Sequence, residues 1–184
     1  MQTGMAPSKL GDAALVALTV DGDDAAFTEL VARHAPAMSR YATYLTSSQT
    51  DADEAVQEAL ITAWQTIETL RNRDAVRSWL MRITARKAID QMRARRPSQP
   101  IEDLQIAGSF PTPQEEVAQS QTLEQLQRVL REIPSNQRQV WVLREIGQMN
   151  YEEIARDCGI SEATVRGRLA RARKNIAQKM GEWR

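Results

Sequence analysis

The 184-residue sequence has very few of the residues from which metal sites and disulfides are built. Cys158 is the only cysteine and His34 is the only histidine. These counts exclude an internal disulfide and leave no Cys/His set with metal-ligand spacing, so we expect no metal and no cofactor. We interpret Cys158 as a small core residue. His34 is interpreted as a packing residue or a snorkelling surface group, and a reducing, cytoplasmic location is expected.

Long apolar runs and enzyme motifs are also missing. Residues 1–12 contain no basic patch followed by an apolar stretch. Nowhere do about 18 apolar residues run together, as a membrane span requires. There is no glycine-rich phosphate loop or nucleophile motif. The sequence therefore predicts a protein without membrane insertion, small-molecule substrate or enzymatic activity.

Strand patterns are absent, whereas apolar residues recur at helical spacing. One helix follows the turn at 21–24 and contains Pro36, which should kink or split it. A second helix begins near Asp51 and has a buried stripe that includes Trp64. A third helix extends over about 74–95. With 42% hydrophobic residues to build packed cores, the chain is expected to be all-α.

The composition changes after the third helix. Four prolines and a glycine follow closely, and residues 97–127 contain no basic residue. This composition is typical of a linker. Helical periodicity then resumes. We therefore expect two small helical domains, 10–96 and 121–184, joined by a flexible linker over 97–120.

Positive charge is concentrated in two blocks, although the 24 basic and 24 acidic residues of the chain cancel. Nine basic residues and two acidic ones lie between Arg71 and Arg96. From Ser161 to Arg184 there are seven basic residues and two acidic ones. Two separate basic blocks predict two separate contacts with a phosphate backbone.

The second block has the pattern of a helix-turn-helix. Asn150 and Glu153 have the spacing of a capping box, residues 158–160 suit a tight turn, and Ser161 can cap the next helix. On that helix, small outward residues lie between rows of arginine, which suits entry into a DNA major groove. The alternative is a basic helix that is merely solvated. The predicted DNA contacts are Ser161, Ala163, Thr164, Arg166, Gly167, Arg168, Arg171, Arg173 and Lys174.

Three segments resemble bacterial extracytoplasmic-function (ECF) sigma factors of the sigma-70 family. The segments DADEAVQEALITAWQ (51–65) and RSWLMRITARKAIDQMRARR (77–96) resemble region 2, and residues 133–176 resemble region 4. They follow the family's order and cover most of the chain. The resemblance implies a transcription initiation subunit that binds core RNA polymerase and promoter DNA, with region 4 reading the minus-35 duplex. It also implies an anti-sigma factor as a partner.

The resemblance assigns a polymerase contact to the helix that matches residues 51–70. In the family this helix docks on the coiled coil of the largest polymerase subunit. Here it presents a polar, acidic face around one apolar residue, which suits a basic partner helix. The alternative is that the acids only complement the helix N-terminus. The predicted contacts are Asp53, Glu54, Gln57, Glu58 and Ile61.

The next loop of the family captures a base flipped from the non-template strand of the minus-ten element. Its arginines here can hold phosphates, and its asparagine can donate to and accept from a base edge. Arg82, Arg86 and Arg93 share one side of the following helix, as a track for a single strand requires. Trp79 is interpreted as a core residue. The predicted minus-ten contacts are Arg71, Asn72, Arg73, Asp74, Arg77, Arg82, Arg86 and Arg93.

By the same resemblance, the acidic linker would run through the polymerase channel toward the RNA exit, where nascent RNA displaces it. The alternative is a solvated tether. An alternative for the whole chain is a helix-turn-helix regulator that acts without recruiting polymerase. That class predicts a ligand pocket or a phospho-acceptor aspartate after a strand in the N-terminal half, and neither pattern occurs in the sequence.

Overall fold

The structure is a computed structural model that describes residues 7–94 and 117–181, with side chains described from residue 124 in the second stretch. Helices dominate these residues, which include no strand, and the all-α prediction is confirmed. The α-helices are α1 (Asp12–Val20), α2 (Asp24–Thr46), α3 (Gln49–Thr66), α4 (Val76–Ala94), α5 (Val117–Glu132), α6 (Ser135–Glu145), α7 (Tyr151–Cys158) and α8 (Glu162–Gly181). Short 3-10 turns occupy Pro7–Lys9, Ile67–Thr69 and Arg73–Ala75.

Helices α1 to α4 form a first bundle, in which α2, α3 and α4 pack against one another and α1 lies against α2. Two side-chain caps fix where the main helices begin. Asp23 accepts hydrogen bonds from the N–H groups of Ala25 and Ala26, and Ser48 accepts one from the N–H of Asp51. These caps satisfy backbone donors that the first helical turn leaves unpaired. The third predicted helix starts two residues late because the 3-10 turn precedes it.

Helix α1 has no counterpart among the predicted helices, and it is held by a polar contact with α2. Arg33 Nη1 donates to Asp12 Oδ1 at 3.1 Å and to the carbonyl oxygen of Leu10 at 2.7 Å. His34 Nε2 lies 2.8 Å from Asp12 Oδ2. His34 is buried, so of its two interpretations the packing residue is confirmed.

Two local expectations need correction. Of the kink or split expected at Pro36, the split does not occur, because residues on both sides of the proline are buried in the core and offset its cost of about 3 kcal/mol. Trp64 does not belong to the buried stripe of α3. Its side chain is 44% exposed and makes an edge contact with Phe27, with ring centroids 4.9 Å apart. The adjacent Ala63, which belongs to the same predicted stripe, is fully buried.

Helices α5 to α8 form a second bundle around α8, which contacts the other three. Arg138 of α6 is buried and donates to the carbonyl oxygen of Leu130 at 3.1 Å, which ties the end of α5 to α6. Burial lowers the pKa of Arg138. Most of the predicted linker lies outside the described residues, and its last part, 117–120, begins α5.

The two bundles also pack against each other. Helix α2 lies against α6 and α4 lies against α7, and the buried residues of both bundles form one continuous hydrophobic core. Tyr41 of α2 is central to this contact, because its hydroxyl group lies where a side chain of Gly147 would otherwise point. This hydroxyl is buried without a hydrogen-bond partner, and burial raises its pKa.

Candidate nucleic-acid interface

The helix-turn-helix begins with a complete capping box at α7. The N–H of Glu153 donates to Asn150 Oδ1, and the N–H of Asn150 donates to Glu153 Oε2, both at 2.8 Å. This reciprocal pair satisfies two backbone donors at the start of the helix. The prediction drawn from the spacing of these two residues is confirmed.

The turn between α7 and α8 depends on a left-handed glycine. Gly159 has φ +65°, a conformation that side chains with a Cβ rarely adopt. The N–H of Ile160 donates to the carbonyl oxygen of Ala155 at 2.9 Å and closes the end of α7. Ser161 Oγ then accepts from the N–H of Thr164 at 3.2 Å and caps α8, as predicted. Local hydrogen bonds thus fix the angle at which α8 leaves the turn.

Helix α8 separates a buried face from a basic one. The inward residues Val165, Leu169, Ala172 and Ile176 are buried, as their spacing predicts. Ala163, Ala170 and Lys174 are exposed on the other side. Gly167 leaves the surface low between the arginine rows, and the guanidinium of Arg171 lies 3.7 Å from the position of its missing Cβ. The structure thus places the predicted duplex contacts on one accessible helix.

Arg173 is an exception among the arginines of α8. Its Nε and Nη2 atoms donate to Glu145 Oε1 of α6 at 3.0 and 2.6 Å. The pair raises the pKa of Arg173 and ties α8 to α6. Arg166 makes a looser contact of 3.5 Å with Glu162 on its own helix. The sequence did not reveal the Glu145 partner, because it lies 28 residues away from Arg173.

The predicted polymerase contacts lie together on the outer side of α3. Asp53, Glu54 and Gln57 are exposed, and Ile61 is 53% exposed. Glu58 is half-buried, with Oε2 3.4 Å from Lys87 Nζ of α4. Sequence reasoning missed the exposed Trp64, which follows Ile61 by three positions and widens the apolar part of this face. The spacing of three between Ile61 and Trp64 could have indicated that both lie on the same face of the helix.

The predicted base-capture loop is exposed throughout. Arg71, Asn72, Arg73 and Asp74 all face solvent, as does Arg77 in the first turn of α4. Asn72 Oδ1 accepts a hydrogen bond from the N–H of Asp74 at 3.2 Å and caps the short 3-10 turn. The acceptor that we assigned to base reading therefore has a structural partner in this arrangement.

The three arginines of α4 lie on one side, as predicted, but that side faces α7. We call Arg82, Arg86 and Arg93 the arginine track. Arg82 Nη1 lies 3.5 Å from Glu153 Oε1, and Arg86 Nε lies 3.4 Å from Asp157 Oδ2. Arg93 Nη2 donates to the carbonyl oxygen of Asp157 at 2.7 Å. Every member of the track thus contacts the first helix of the helix-turn-helix.

Within residues 7–94 and 117–181, no three His, Cys, Asp or Glu residues are grouped as a metal site would require. No helix in these ranges is long and apolar enough to cross a membrane. Cys158 is partly buried at the turn, and desolvation raises the pKa of its thiol to about 11. At neutral pH the thiol is therefore protonated and a poor nucleophile.

Comparison with known proteins gives two family matches, to sigma-70 region 2 over residues 30–97 and to sigma-70 region 4 over residues 123–176. The ECF RNA polymerase sigma factor SigM of Mycobacterium tuberculosis is 34% identical over 92% of this chain and 85% of its own length. The RNA polymerase sigma factor CnrH of Cupriavidus metallidurans is 32% identical over 90% of this chain and 92% of its own.

Two solved structures are similar as well. CnrH in complex with the cytosolic domain of CnrY has a TM-score of 0.57 and 29% identity, and the match covers 93% of this chain and 97% of that one. The sigma factor RpoE of Bartonella quintana, in complex with the anti-sigma factor NepR, has a TM-score of 0.59, and the match covers 84% of this chain and 96% of that one. At 23% identity the RpoE match supports the fold alone.

Both family matches are to the DNA-binding transcription factors of the sigma-70 class, and they occur here in the order region 2, region 4. The relatives that match over almost the whole chain are ECF sigma factors, which identifies the group within this class. The chain belongs to the extracytoplasmic-function sigma factors of the sigma-70 family, and it acts in transcription initiation. A helix-turn-helix regulator that works without polymerase is not favoured by these matches.

Proposed function

We propose that this chain binds core RNA polymerase through the outer face of α3 and directs it to specific promoters. At the promoter, α8 contacts the minus-35 duplex, and the loop before α4 together with the arginine track holds the opened minus-ten strand. The observation that carries the proposal is the pair of basic surfaces, one on each bundle, in a chain whose two halves match regions 2 and 4.

The division of labour follows the two bundles. We assign polymerase binding and minus-ten melting to residues 10–96 and minus-35 recognition to residues 121–184, with 97–120 as the linker. The exposed acids around Ile61 suit a basic partner helix, and the low surface at Gly167 suits close approach to a groove. Catalysis of RNA synthesis belongs to the polymerase, so the chain itself has no enzymatic activity in this proposal.

An anti-sigma factor completes the proposed set of partners. CnrH and RpoE were both solved with a bound protein, the cytosolic domain of CnrY and the anti-sigma factor NepR. The exposed apolar pair Ile61 and Trp64 offers a surface that such a protein can cover. Because core polymerase and DNA are the partners of the proposed function, we also place the protein in the cytoplasm.

Run-off transcription with purified core polymerase tests the proposal. The full-length chain is expected to yield transcripts of defined length from templates that carry its promoter, whereas core polymerase alone yields none. Genomic fragments supply the templates, since the promoter sequence has to be selected. A chain that binds duplex DNA but neither associates with core polymerase nor starts any transcript contradicts the proposal and supports a regulator instead.

A further inference from the structure

Helix α7 and the arginine track match each other in register. Glu153 and Asp157 are four residues apart, so both carboxylates lie on one face of α7. Arg82 and Arg86 are also four residues apart and lie on one face of α4. The observed pairs are Arg82 with Glu153 and Arg86 with Asp157, so two equally spaced rows of opposite charge meet.

The carboxylates of α7 are held in place before they meet the arginines. One oxygen of Glu153 belongs to the capping box, and the other faces Arg82. The side chain of Asp157 is only 7% exposed. Fixed, partly buried acids lose little side-chain freedom when they pair, which favours the contact. The capping box therefore orders Glu153 within its own helix, whereas the low exposure of Asp157 belongs to the closed arrangement.

Apolar contacts support the same arrangement. Tyr41 fills the space beside Gly147, just before α7, and the cores of the two bundles are continuous. Cys158 at the end of α7 is partly buried against this continuous core, and Arg93 of α4 donates to the carbonyl oxygen of the preceding residue, Asp157. The thiol can therefore report whether α7 lies on α4.

We propose that α7 is an internal competitor for the arginine track. In the free chain, Glu153 and Asp157 occupy the positions that phosphates of the opened minus-ten strand take in the transcribing complex. Carboxylates repel phosphates and take one side of each arginine, although the arginine side chains stay 50–57% exposed, so closure of the bundles weakens binding of the strand. Separation of α7 from α4 strengthens it. This inference rests on the proposed function, because the competing strand is the minus-ten DNA.

The first test neutralises one carboxylate in the full-length chain. Asp157→Asn keeps the shape of the side chain, and Glu152→Gln on the same helix is the matched control because Glu152 is exposed. Binding of a fluorescent single-stranded oligonucleotide of mixed sequence is followed by anisotropy at low salt. Asp157→Asn should bind about two- to fivefold more tightly than the unaltered chain, the range expected for a partly exposed ion pair, and the control should not change.

A second readout follows the conformation directly. Desolvation and, more weakly, Asp157 itself raise the pKa of the Cys158 thiol, so alkylation by iodoacetamide is compared as the rate per thiolate, taken from a pH profile. This rate should be faster in Asp157→Asn than in Glu152→Gln, because opening exposes the thiol. Tyr41→Phe should act in the opposite direction. It removes the buried hydroxyl that has no partner, so it strengthens the closed state, slows alkylation and weakens binding of the oligonucleotide.

Equal oligonucleotide affinity and equal alkylation for Asp157→Asn and Glu152→Gln overturn the inference, as does tighter binding by Tyr41→Phe. Run-off transcription with core polymerase separates this failure from failure of the proposed function. Transcription without the expected shifts leaves the proposed function intact and removes the internal competitor. If affinity and alkylation shift as expected but no transcript forms, α7 still competes with single strands, and the proposed sigma-factor activity is contradicted.

Discussion

The two basic surfaces of this protein look alike in sequence and differ in the structure. On α8, Arg171 and Lys174 are exposed beside a strip of small residues. On α4, each member of the arginine track contacts α7 of the other bundle. A cluster of positive charge thus indicates the sign of the partner, whereas the contacts of the folded chain determine which partners the cations already have.

The largest effect is expected from a change in the core beneath α8, the helix that carries the duplex-reading surface. Leu169→Ala leaves a cavity beneath α8, because Leu169 is fully buried. The free energy of unfolding should fall by about 2–5 kcal/mol in urea denaturation followed by circular dichroism. The exposed neighbouring residue Ala170 provides the control, since Ala170→Ser should change the free energy of unfolding by less than about 0.5 kcal/mol. Equal losses for both variants would show that α8 is not seated as described.

A smaller effect sharpens the contrast between available and paired arginines. If Arg171 contacts a base edge, Arg171→Ala should weaken binding of promoter duplex by about 1–3 kcal/mol. If Arg171 contacts a phosphate, the substitution should lower the slope of log binding constant against log salt concentration by about 1. Arg173→Ala should lose less, because Arg173 is paired with Glu145. The measurement is an anisotropy titration at several salt concentrations. A greater loss for Arg173→Ala contradicts the assignment of Arg171 as the available cation.

The smallest effect concerns the turn between α7, which contacts the arginine track, and α8, which carries the other basic surface. Gly159→Ala forces an alanine into φ +65° and should reduce the free energy of unfolding by about 1 kcal/mol. Gly181 is the control, because its position is open and its φ is ordinary, so Gly181→Ala should be neutral or slightly stabilising. Urea denaturation of both variants checks this difference. An unchanged stability for Gly159→Ala would mean that the turn relaxes.

Local features of the fold were predictable, because they depend on residues close together in the chain. The capping box of Asn150 and Glu153, the cap at Ser161 and the inward face of α8 each follow from spacings of three or four. The fold class and the two basic blocks follow from the same periodicity and from charge counts.

Features that depend on distant partners were not predictable. Pro36 stays within one helix because packing on both sides offsets its cost, and Trp64 is exposed with its ring against Phe27 of α2. The Arg173 pair with Glu145 and the position of α7 on the arginine track join residues far apart in sequence. No helical period contains that information.

The fit of Tyr41 against Gly147 has a consequence for mutational scanning. The two bundles approach closely at Gly147 because glycine has no side chain. Any Cβ at this position would meet the hydroxyl group of Tyr41 and the carbonyl oxygen of Leu143. Truncation to alanine, which finds important contacts by deleting atoms, adds an atom at this position. At residue 147 an alanine scan would therefore measure the clash of an added methyl group. It would not measure the close packing that the glycine allows.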